Sequence, residues 1–237
     1  MADTRERVRR AYSQPRDRYD RKRIHDPRGR ILTDHDVPLF LELLPAPMGG
    51  EHVLEIGAGT GRFTLPALDA GYRLVATDVN EAMLAELKSK VADRSEAVRL
   101  QKEDAFGLSF GSGSSDLVFS IHVVPRFLTL SDQRAAISEM ARVLKPGGRL
   151  IFNYRNRQSL VYGRFYRGYA TSSDEIAAIL ADHDLEIEEQ RSKFLLTRAL
   201  VDRLPVSFGK AISHLDRGLR FLPPTRAWDV FVRAAKR

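Results

Sequence analysis

Three glycines in five positions follow an apolar run and precede a helical pattern, in the stretch VLEIGAGTGRFTLPAL. Gly57, Gly59 and Gly61 would let the chain turn sharply from a strand into a helix and would expose main chain to a ligand. Many nucleotide-like ligands use such a turn, although it can also be purely structural. The spacing G-x-G-x-G departs from the dinucleotide fingerprint, whose third glycine stands one place later.

Two acidic residues near the glycines indicate what kind of ligand the turn could bind. Glu55 stands inside the otherwise apolar strand, where a carboxylate is costly to bury without a cationic or hydrogen-bonding partner, so it indicates a cationic ligand. Asp78 ends the next apolar run, LVATD, 21 positions after Gly57. An acceptor at that place can meet both hydroxyls of a ribose. The alternative for Asp78 is a helix cap beside Asn80.

A third acid follows the third apolar run. Asp104, in QKEDAFGLSF, is expected at the same edge of the sheet, next to Ala105 and Phe106. A carboxylate beside apolar side chains suits the amino group and the ring of an adenine. The alternative is a loop acid that caps a turn.

The elements that must position these residues alternate along the chain. Short β-branched runs alternate with helical patterns at the spacing of βαβ units, which predicts a mainly parallel sheet with helices on both faces. Asn80, Ser131 and Ser173 are the expected N-caps of three helices, and Gly147-Gly148 is an expected turn. The predicted strands are 52–56, 73–77, 98–101, 116–120, 148–154, 185–191 and 228–233, and the predicted helices are 62–69, 80–92, 131–143 and 174–182.

Composition limits the class of protein. A chain of 237 residues with 43% hydrophobic content can bury a substantial core, and we expect one α/β domain with an appendage. The absence of cysteine excludes disulfides, thiolate metal sites and cysteine nucleophiles. The start of the sequence has no apolar signal region, and no run of about 18 apolar residues occurs. We therefore expect a cytoplasmic protein, in at most peripheral contact with a membrane.

The net charge of +7 is unevenly distributed. Residues 1–30 and 191–237 carry net charges of +6 and +8, whereas residues 31–190 carry −7. Basic ends around an acidic middle indicate an anionic partner such as a membrane surface, a nucleic acid or a phosphorylated substrate. The alternative is an ordinary solvated basic surface.

Two regions, 1–47 and 194–225, lie outside the alternating pattern. In the second region, apolar residues recur at intervals of 3 and 4, which predicts an amphipathic helix with basic residues elsewhere around it. Such a helix either packs on the domain or forms a cationic lid over an apolar substrate or on an anionic membrane. The apolar residues are Phe208, Ala211, Ile212, Leu215, Leu219 and Leu222, and the basic side carries Lys210, His214, Arg217 and Arg220.

Over about residues 50–155 the sequence resembles the class I S-adenosylmethionine-dependent methyltransferases, particularly the small-molecule branch that includes the ubiquinone-biosynthesis type. Five segments resemble the family's motifs in order: VLEIGAGTG, ATDVNEAML, EDAFGLSF, SDLVFSIHVVPRF and EMARVLKPGGRLIFNY. A weaker similarity extends to AYSQPRDRYD and to SSDEIAAILADHDLEIEEQ. Residues 194–225 match no motif of the family.

The resemblance implies a Rossmann-like α/β fold. The sheet would have seven mostly parallel strands in the order 3-2-1-4-5-7-6, with strand 7 antiparallel and helices on both faces. Residues 1–47 would form an N-terminal helical cap. Residues 48–237 would form the methyltransferase core, with a helical insertion at about 194–225 before the last strand.

The resemblance also implies S-adenosyl-L-methionine as the cofactor and S-adenosyl-L-homocysteine as the product. It assigns each part of the cofactor to residues by position. The methionine part and the ribose would be lined by Gly57, Ala58, Gly59 and Gly61, with Glu55 near the amino group and Asp78 on the ribose hydroxyls. The adenine would contact Val79, Met83, Asp104 and Ala105. The Ser120 main chain would approach the methionine end, and Tyr12 or Tyr19 would close over the cofactor.

The implied chemistry is direct displacement of a methyl group from a sulfonium by an O, N or C nucleophile. Alignment of the reactants can contribute roughly 7–11 kcal/mol, and a general base is needed only for an acceptor without its own acidity. His122 is a candidate base because it follows the fourth strand, although it could merely pack there. His25 and His35 are weaker candidates, and Tyr154 and Arg126 could orient the acceptor.

We therefore predict a methyltransferase acting on a small or lipid-like acceptor, and no metal site, because the six histidines lack ligand spacing. An RNA methyltransferase is the main alternative, since the termini are basic; the missing Asn/Asp-Pro-Pro-Tyr tetrapeptide weakens a DNA-base substrate. A nicotinamide-dependent oxidoreductase and a non-catalytic cofactor-binding module are the alternatives of another class. The sequence does not indicate the oligomeric state.

Overall fold

A computed structural model describes residues 26–159, 161–162, 169–219 and 222–237. The predictions made for Tyr12, Tyr19 and His25 lie outside these residues. Within the described ranges, no helix is both long enough and apolar enough to cross a bilayer.

The described residues form one sheet of seven strands. They are β1 (Val53–Ile56), β2 (Leu74–Asp78), β3 (Val98–Lys102), β4 (Ser115–Ser120), β5 (Leu144–Arg155), β6 (Leu185–Lys193) and β7 (Asp229–Lys236). Their order is β3-β2-β1-β4-β5-β7-β6. β7 pairs antiparallel with both β5 and β6, and all other pairs are parallel. This topology confirms the predicted fold.

Helices cover both faces of the sheet. They are α1 (Pro27–Leu43), α2 (Thr64–Asp69), α3 (Glu81–Lys90), α4 (Leu130–Val143), α5 (Ser173–Ala181), α6 (Arg198–Arg203) and α7 (Val206–Gly218). Alternate strand residues enter different apolar clusters, as the period of a strand requires. Leu54 and Phe152 pack with α4 and α5 on one face, and Val53 and Ile151 pack with α1, α2 and α3 on the other.

Several local predictions need correction. Asn80 caps α3 as expected, but Thr129 rather than Ser131 caps α4. Ser172 rather than Ser173 caps α5, where it forms a capping box with Glu175 in the first turn of the helix. The expected turn at Gly147-Gly148 lies within β5, because the positive φ of Gly147 (77°) accommodates an irregularity in the β4–β5 register.

Candidate functional site

The glycine-rich turn follows β1 and is tied to the end of β2. The main-chain nitrogens of Gly57 and Ala58 both donate to the Thr77 carbonyl at 2.8 Å. Gly57, Gly59 and Gly61 have positive φ values of 77°, 56° and 95°. Residues with a side chain rarely adopt this backbone conformation.

The three glycines differ in what surrounds them. A Cβ atom on Gly57 would lie 2.2 Å from Val123 Cγ2, and one on Gly61 would lie 2.6 Å from Leu87 Cδ1. A Cβ atom on Gly59 would meet nothing within 4 Å. Gly57 and Gly61 therefore permit close packing, whereas Gly59 borders open space that a ligand can occupy.

Asp78 ends β2 beside this turn. Its Oδ2 accepts a hydrogen bond from the Gly59 nitrogen at 2.8 Å, and its Oδ1 accepts one from the Asn80 nitrogen at 2.8 Å. Burial raises the pKa of Asp78. Each carboxylate oxygen can accept more than one hydrogen bond, so the contacts to the turn leave acceptor capacity for two further donors.

Glu55 lies in β1 and is only 2% exposed. Its Oε2 accepts a hydrogen bond from Thr64 Oγ1 at 2.6 Å. Burial, together with the nearby charge of Asp78, raises the pKa of Glu55 to about 8 against the opposing effect of the Thr64 bond. No basic side chain in the described ranges forms an ion pair with Glu55. A cationic group at this position would provide the missing charge partner.

The residues predicted to contact an adenine lie in the loops after β2 and β3. Val79 is half-buried and Met83 is buried in α3. Asp104 is half-buried, and its Oδ1 accepts a hydrogen bond from the Phe106 nitrogen at 3.1 Å. The turn-capping contact of Asp104 is therefore present, and Ala105 packs beside it against the core. Their adenine contacts stay predictions.

Ser120 is the last residue of β4 and is fully buried. Its Oγ donates to the Ile56 carbonyl at 2.9 Å, which ties the ends of β4 and β1 together. The side chain is thus engaged in the sheet, and only the main chain of Ser120 is left for the predicted approach to a ligand.

His122 follows β4, and both of its ring nitrogens have partners. Nε2 lies 2.9 Å from Asp36 Oδ2, and Nδ1 lies 3.2 Å from Asn153 Nδ2. Because the amide donates to Nδ1, the hydrogen-bond network assigns the ring proton to Nε2. Burial lowers the pKa of His122 to about 3. The predicted general-base role does not fit this geometry, because neither nitrogen has a lone pair free for a substrate proton.

Tyr154 and His35 also differ from expectation. Tyr154 is fully buried in the cluster beneath α4 and α5, its hydroxyl lies 2.9 Å from Ser173 Oγ, and burial raises its pKa to about 12. It is a core residue and does not face an acceptor. His35 is buried too, with Nε2 3.1 Å from Asp216 Oδ2, so it joins α1 to α7. Arg126 is half-buried in the short 3-10 helix Val124–Arg126.

The sequence analysis missed Asp36, a buried residue of α1. Its carboxylate accepts hydrogen bonds from Arg62 Nη2 at 2.7 Å, Lys193 Nζ at 2.6 Å and His122 Nε2 at 2.9 Å. Burial alone would raise the pKa of Asp36, but Lys193, the His122 bond and Arg62 hold it well below 3.8. Asp36 therefore joins α1 to the glycine-rich turn, the end of β4 and the end of β6.

A second buried carboxylate, Asp229 of β7, continues this network. It accepts hydrogen bonds from Asn153 Nδ2 at 2.7 Å and from Arg155, and it lies 3.3 Å from Lys193 Nζ. Burial would raise the pKa of Asp229, but Arg155 and Lys193 lower it. Nothing in the local sequence marks Asp36 or Asp229, since their partners come from distant strands. We call Asp36, His122, Asn153, Arg155, Lys193, Asp229 and Arg62 the buried charge network.

A family described as a methyltransferase domain matches residues 54–152, from β1 to within β5. Over these residues the chain carries a class I S-adenosylmethionine-dependent methyltransferase domain. The open main chain at Gly59, the acceptor capacity of Asp78 and the carboxylate of Glu55, which has no ion-pair partner in the described ranges, fit this cofactor, which has an ammonium group and a ribose. In the described ranges, no group of three or more His, Asp or Glu side chains could hold a metal ion.

Curated relatives match this domain over part of their length. A ubiquinone/menaquinone biosynthesis C-methyltransferase of Paracoccus denitrificans is 36% identical over 113 residues, which are 45% of this chain and 43% of that protein. A demethylmenaquinone methyltransferase of Clavibacter sepedonicus is 34% identical over 108 residues, covering 45% and 42%. An uncharacterized protein of Mycobacterium tuberculosis is 30% identical over 124 residues, covering 48% and 44%. The chain spans about half the length of the curated relatives it matches.

Solved structures share the fold over most of the methyltransferase chain. An S-adenosylmethionine-dependent methyltransferase of Thermotoga maritima superposes with a TM-score of 0.63 at 20% identity, covering 94% of this chain and 97% of that one. A geranyl diphosphate methyltransferase in complex with S-adenosylmethionine superposes with the same score at 14% identity, covering 89% and 90%. At these identities the likeness shows the fold alone.

Proposed function

We propose that this protein transfers a methyl group from S-adenosylmethionine to an O, N or C nucleophile of a small or lipid-like acceptor. The observation that carries the proposal is the pair of the buried Glu55 and the half-buried Asp78 beside the open main chain at Gly59. Two carboxylates with raised pKa values and no ion-pair partner among the described residues favour a positively charged ligand. The cofactor, when bound, supplies an already activated methyl group.

The side chains of the site bind and orient the cofactor in this proposal. Glu55 holds the amino group, and Asp78 holds the ribose hydroxyls through its remaining lone pairs. The other contacts follow the positions predicted from sequence: Gly57, Ala58, Gly59, Gly61 and the Ser120 main chain line the methionine part and ribose, and Val79, Met83, Asp104 and Ala105 surround the adenine. The protein then contributes alignment and the exclusion of water.

The state of the predicted bases favours one kind of acceptor. His122 has both ring nitrogens engaged and a pKa of about 3, and the hydroxyl of Tyr154 is bonded within the core. An acceptor whose nucleophile ionises near neutral pH needs no help from either residue. We therefore propose an acceptor that supplies its own acidity, such as an acidic enol or an electron-poor phenol.

The lipid-like character of the acceptor rests on the relatives. Two of them are named for steps in menaquinone and ubiquinone biosynthesis, and one structural neighbour is named for geranyl diphosphate.

Support for the proposed division into a cap at 1–47, a core at 48–237 and an insertion at about 194–225 comes from α1, α6 and α7. These helices pack together through a small cluster that includes Ile31, Leu32, Leu196 and Val201.

Calorimetric titration of the full chain with S-adenosylmethionine, S-adenosylhomocysteine and NAD tests the cofactor. We expect micromolar binding of the first two ligands and none of NAD. Asp78→Asn should weaken binding about 10–100-fold, because a hydrogen bond to a charged group contributes about 1.5–3 kcal/mol. Asp69→Asn, an exposed change at the end of α2, is the control. Binding of NAD alone would overturn the proposal in favour of an oxidoreductase.

A radiolabelled methyl-transfer screen of quinols, phenols and lipids tests the acceptor. Turnover of one of these classes supports the proposal. Tight cofactor binding without turnover of any of them would favour a non-catalytic cofactor-binding module. Methylation of RNA that falls steeply with salt would instead identify the RNA alternative, because phosphate contacts release counterions.

A further inference from the structure

α7 is attached to the domain by small and polar residues, together with Val206 and Ile212, which pack on the apolar cluster at α1 and α6. Gly209, Ser213 and Asp216 are the buried residues of this helix. A Cβ atom on Gly209 would lie 2.9 Å from Ile31 Cδ1, so α7 packs closely against α1. Asp216 Oδ1 accepts hydrogen bonds from the main-chain nitrogens of Phe194 and Leu195 at 2.9 and 2.6 Å. These contacts determine which side of α7 faces the domain.

The opposite side of α7 exposes large apolar residues. Phe208 is 61% exposed and Leu215 is 57% exposed, and Ala211 between them is exposed as well. The spacing of three and four places all three residues on one stripe, about 10 Å long. The predicted apolar series is thus divided: Ile212, Leu219 and Leu222 pack on the domain, as one of the two expectations had it, whereas Phe208, Ala211 and Leu215 face outward.

Basic residues lie along one side of this stripe. Lys210, His214 and Arg217 are exposed on α7, and neither Lys210 nor His214 has a hydrogen-bond or ion-pair partner in the described ranges. The one acidic residue of α7, Asp216, is fully buried. The outward face of α7, defined by Phe208, Lys210, Ala211, His214, Leu215 and Arg217, is therefore apolar and cationic without a compensating acid.

The charge and the apolar surface of this face indicate which kind of partner fits it. Residues 1–25 contain nine basic and four acidic residues, so they carry the same sign as the face. A second copy of the chain would bring the same cationic face against it. A nucleic acid would match the charges but would leave Phe208 and Leu215 without an apolar partner. An anionic bilayer matches both, since its headgroups attract cations and its interior accepts apolar side chains.

We propose that the outward face of α7 docks on the surface of an anionic lipid bilayer. Phe208 and Leu215 enter the boundary between headgroups and acyl chains, and Lys210 and Arg217 contact the acidic headgroups. The docking stands independently of catalysis. Its use in bringing the protein to a lipid-like acceptor rests on the proposed function.

Sedimentation of the full chain with vesicles tests the docking. We expect binding to vesicles of phosphatidylglycerol and phosphatidylcholine, and little binding to phosphatidylcholine alone. The double variant Phe208→Ser/Leu215→Ser should lose at least about tenfold in binding, since each side chain buries apolar surface. Met48→Ser, which changes an 85% exposed residue elsewhere, should bind as the wild type does.

Single charge variants measure the electrostatic part. Lys210→Gln should weaken vesicle binding about fivefold, the equivalent of about 1 kcal/mol for one basic residue near an anionic surface. Lys88→Gln, an exposed change on α3, should leave binding unchanged. Both apolar positions are exposed, so unfolding midpoints of all variants should match the wild type.

Two vesicle results would overturn the docking proposal: no binding by the wild type, or equal binding by the wild type and the double variant. Two other results would identify a different occupant of the face: a wild-type dimer that the double variant dissociates, or RNA binding that depends on Lys210 and not on the apolar pair. S-adenosylmethionine titrations of the same samples separate the two proposals. A wild-type protein that binds the cofactor but not the vesicles refutes the docking alone. Vesicle binding without cofactor binding refutes the proposed function alone.

Discussion

Two pairs of carboxylates differ in their charge partners. Glu55 and Asp78 stand beside the glycine-rich turn, and desolvation raises the pKa of both. Asp36 and Asp229 lie in the buried charge network, and their pKa values are lowered in spite of burial. Because Glu55 is as buried as Asp36 and Asp229, burial alone cannot explain the opposite directions.

The difference lies in the cations within reach. Lys193 contacts both Asp36 and Asp229, with Arg62 on the first and Arg155 on the second. Within the described ranges, the hydrogen bond to the Glu55 side chain comes from a neutral hydroxyl. The carboxylates of the network are therefore paired with cations and hold α1 on the core, whereas no described cation pairs with the carboxylates beside the turn.

Removing Asp36 should give the largest effect. Asp36→Ala leaves Lys193 and Arg62 buried without their shared partner, and breaking a buried pair in this way costs about 3–5 kcal/mol. Denaturant unfolding measures the loss. Asp34→Ala changes an exposed residue of the same helix and should stay within about 0.5 kcal/mol of wild type. Equal stabilities of the two variants would contradict the role of the network.

Neutralising Glu55 should affect ligand binding rather than the stability of the ligand-free protein. Glu55→Gln removes no charge partner, so the ligand-free protein should be as stable as wild type or more stable. Affinity for S-adenosylmethionine should fall about 10–100-fold, because a bond to a charged group worth about 1.5–3 kcal/mol is weakened. Unfolding and calorimetry on the same samples measure the two effects. A stability loss like that of Asp36→Ala, with unchanged affinity, would remove the distinction between the two groups.

The raised pKa of Glu55 predicts a pH dependence of binding. With a pKa of about 8, Glu55 is protonated in the free protein below that pH, and a cationic ligand must displace the proton. Affinity should therefore rise by up to about tenfold per pH unit between about pH 5.5 and 7.5. Calorimetry in buffers of different ionisation enthalpy should detect nearly one released proton, which Glu55→Gln should abolish. A flat profile in the wild type would mean that Glu55 is already ionised.

The same linkage applies to the stability of the ligand-free protein. The pKa of Glu55 is raised from 4.5 to about 8 on folding, so its contribution to stability is fully present below about pH 4.5. It is lost as the pH rises through about 8, because the folded protein holds a proton that the unfolded chain releases. Bound cofactor should reduce this loss.

The smallest effect is expected at Tyr154. Tyr154→Phe removes one hydrogen bond to Ser173 and should cost about 0.5–1.5 kcal/mol of stability, with turnover unchanged. Ser173→Ala removes the same bond from the other side, and the double variant should add little to either single change. A kcat reduced by about 100-fold at unchanged stability would show instead that Tyr154 contacts the acceptor.

Local order along the chain was sufficient to predict the strands and to single out the residues at the glycine-rich turn, whose ligand contacts stay predictions. The alternation of apolar runs and helical patterns predicted all seven strands to within a few residues at each end. Glu55, Asp78 and the glycines were recognisable because each lies at the end of a strand or in the turn beside it. Asn80 was recognised as a cap, but the caps of α4 and α5 were misplaced by one or two residues, because neighbouring Ser and Thr side chains compete for the same role.

The tertiary structure decided the roles of residues whose contact partners lie far away in the sequence. His122 is a candidate base by position, yet Asp36 and Asn153, 86 and 31 residues away in sequence, occupy its ring nitrogens. Periodicity likewise placed Phe208 and Leu215 on one side of a helix but did not show that this side faces outward. Spacing along a helix defines which residues share a face, whereas only the packing partners, here α1 and the segment after β6, define which face is buried.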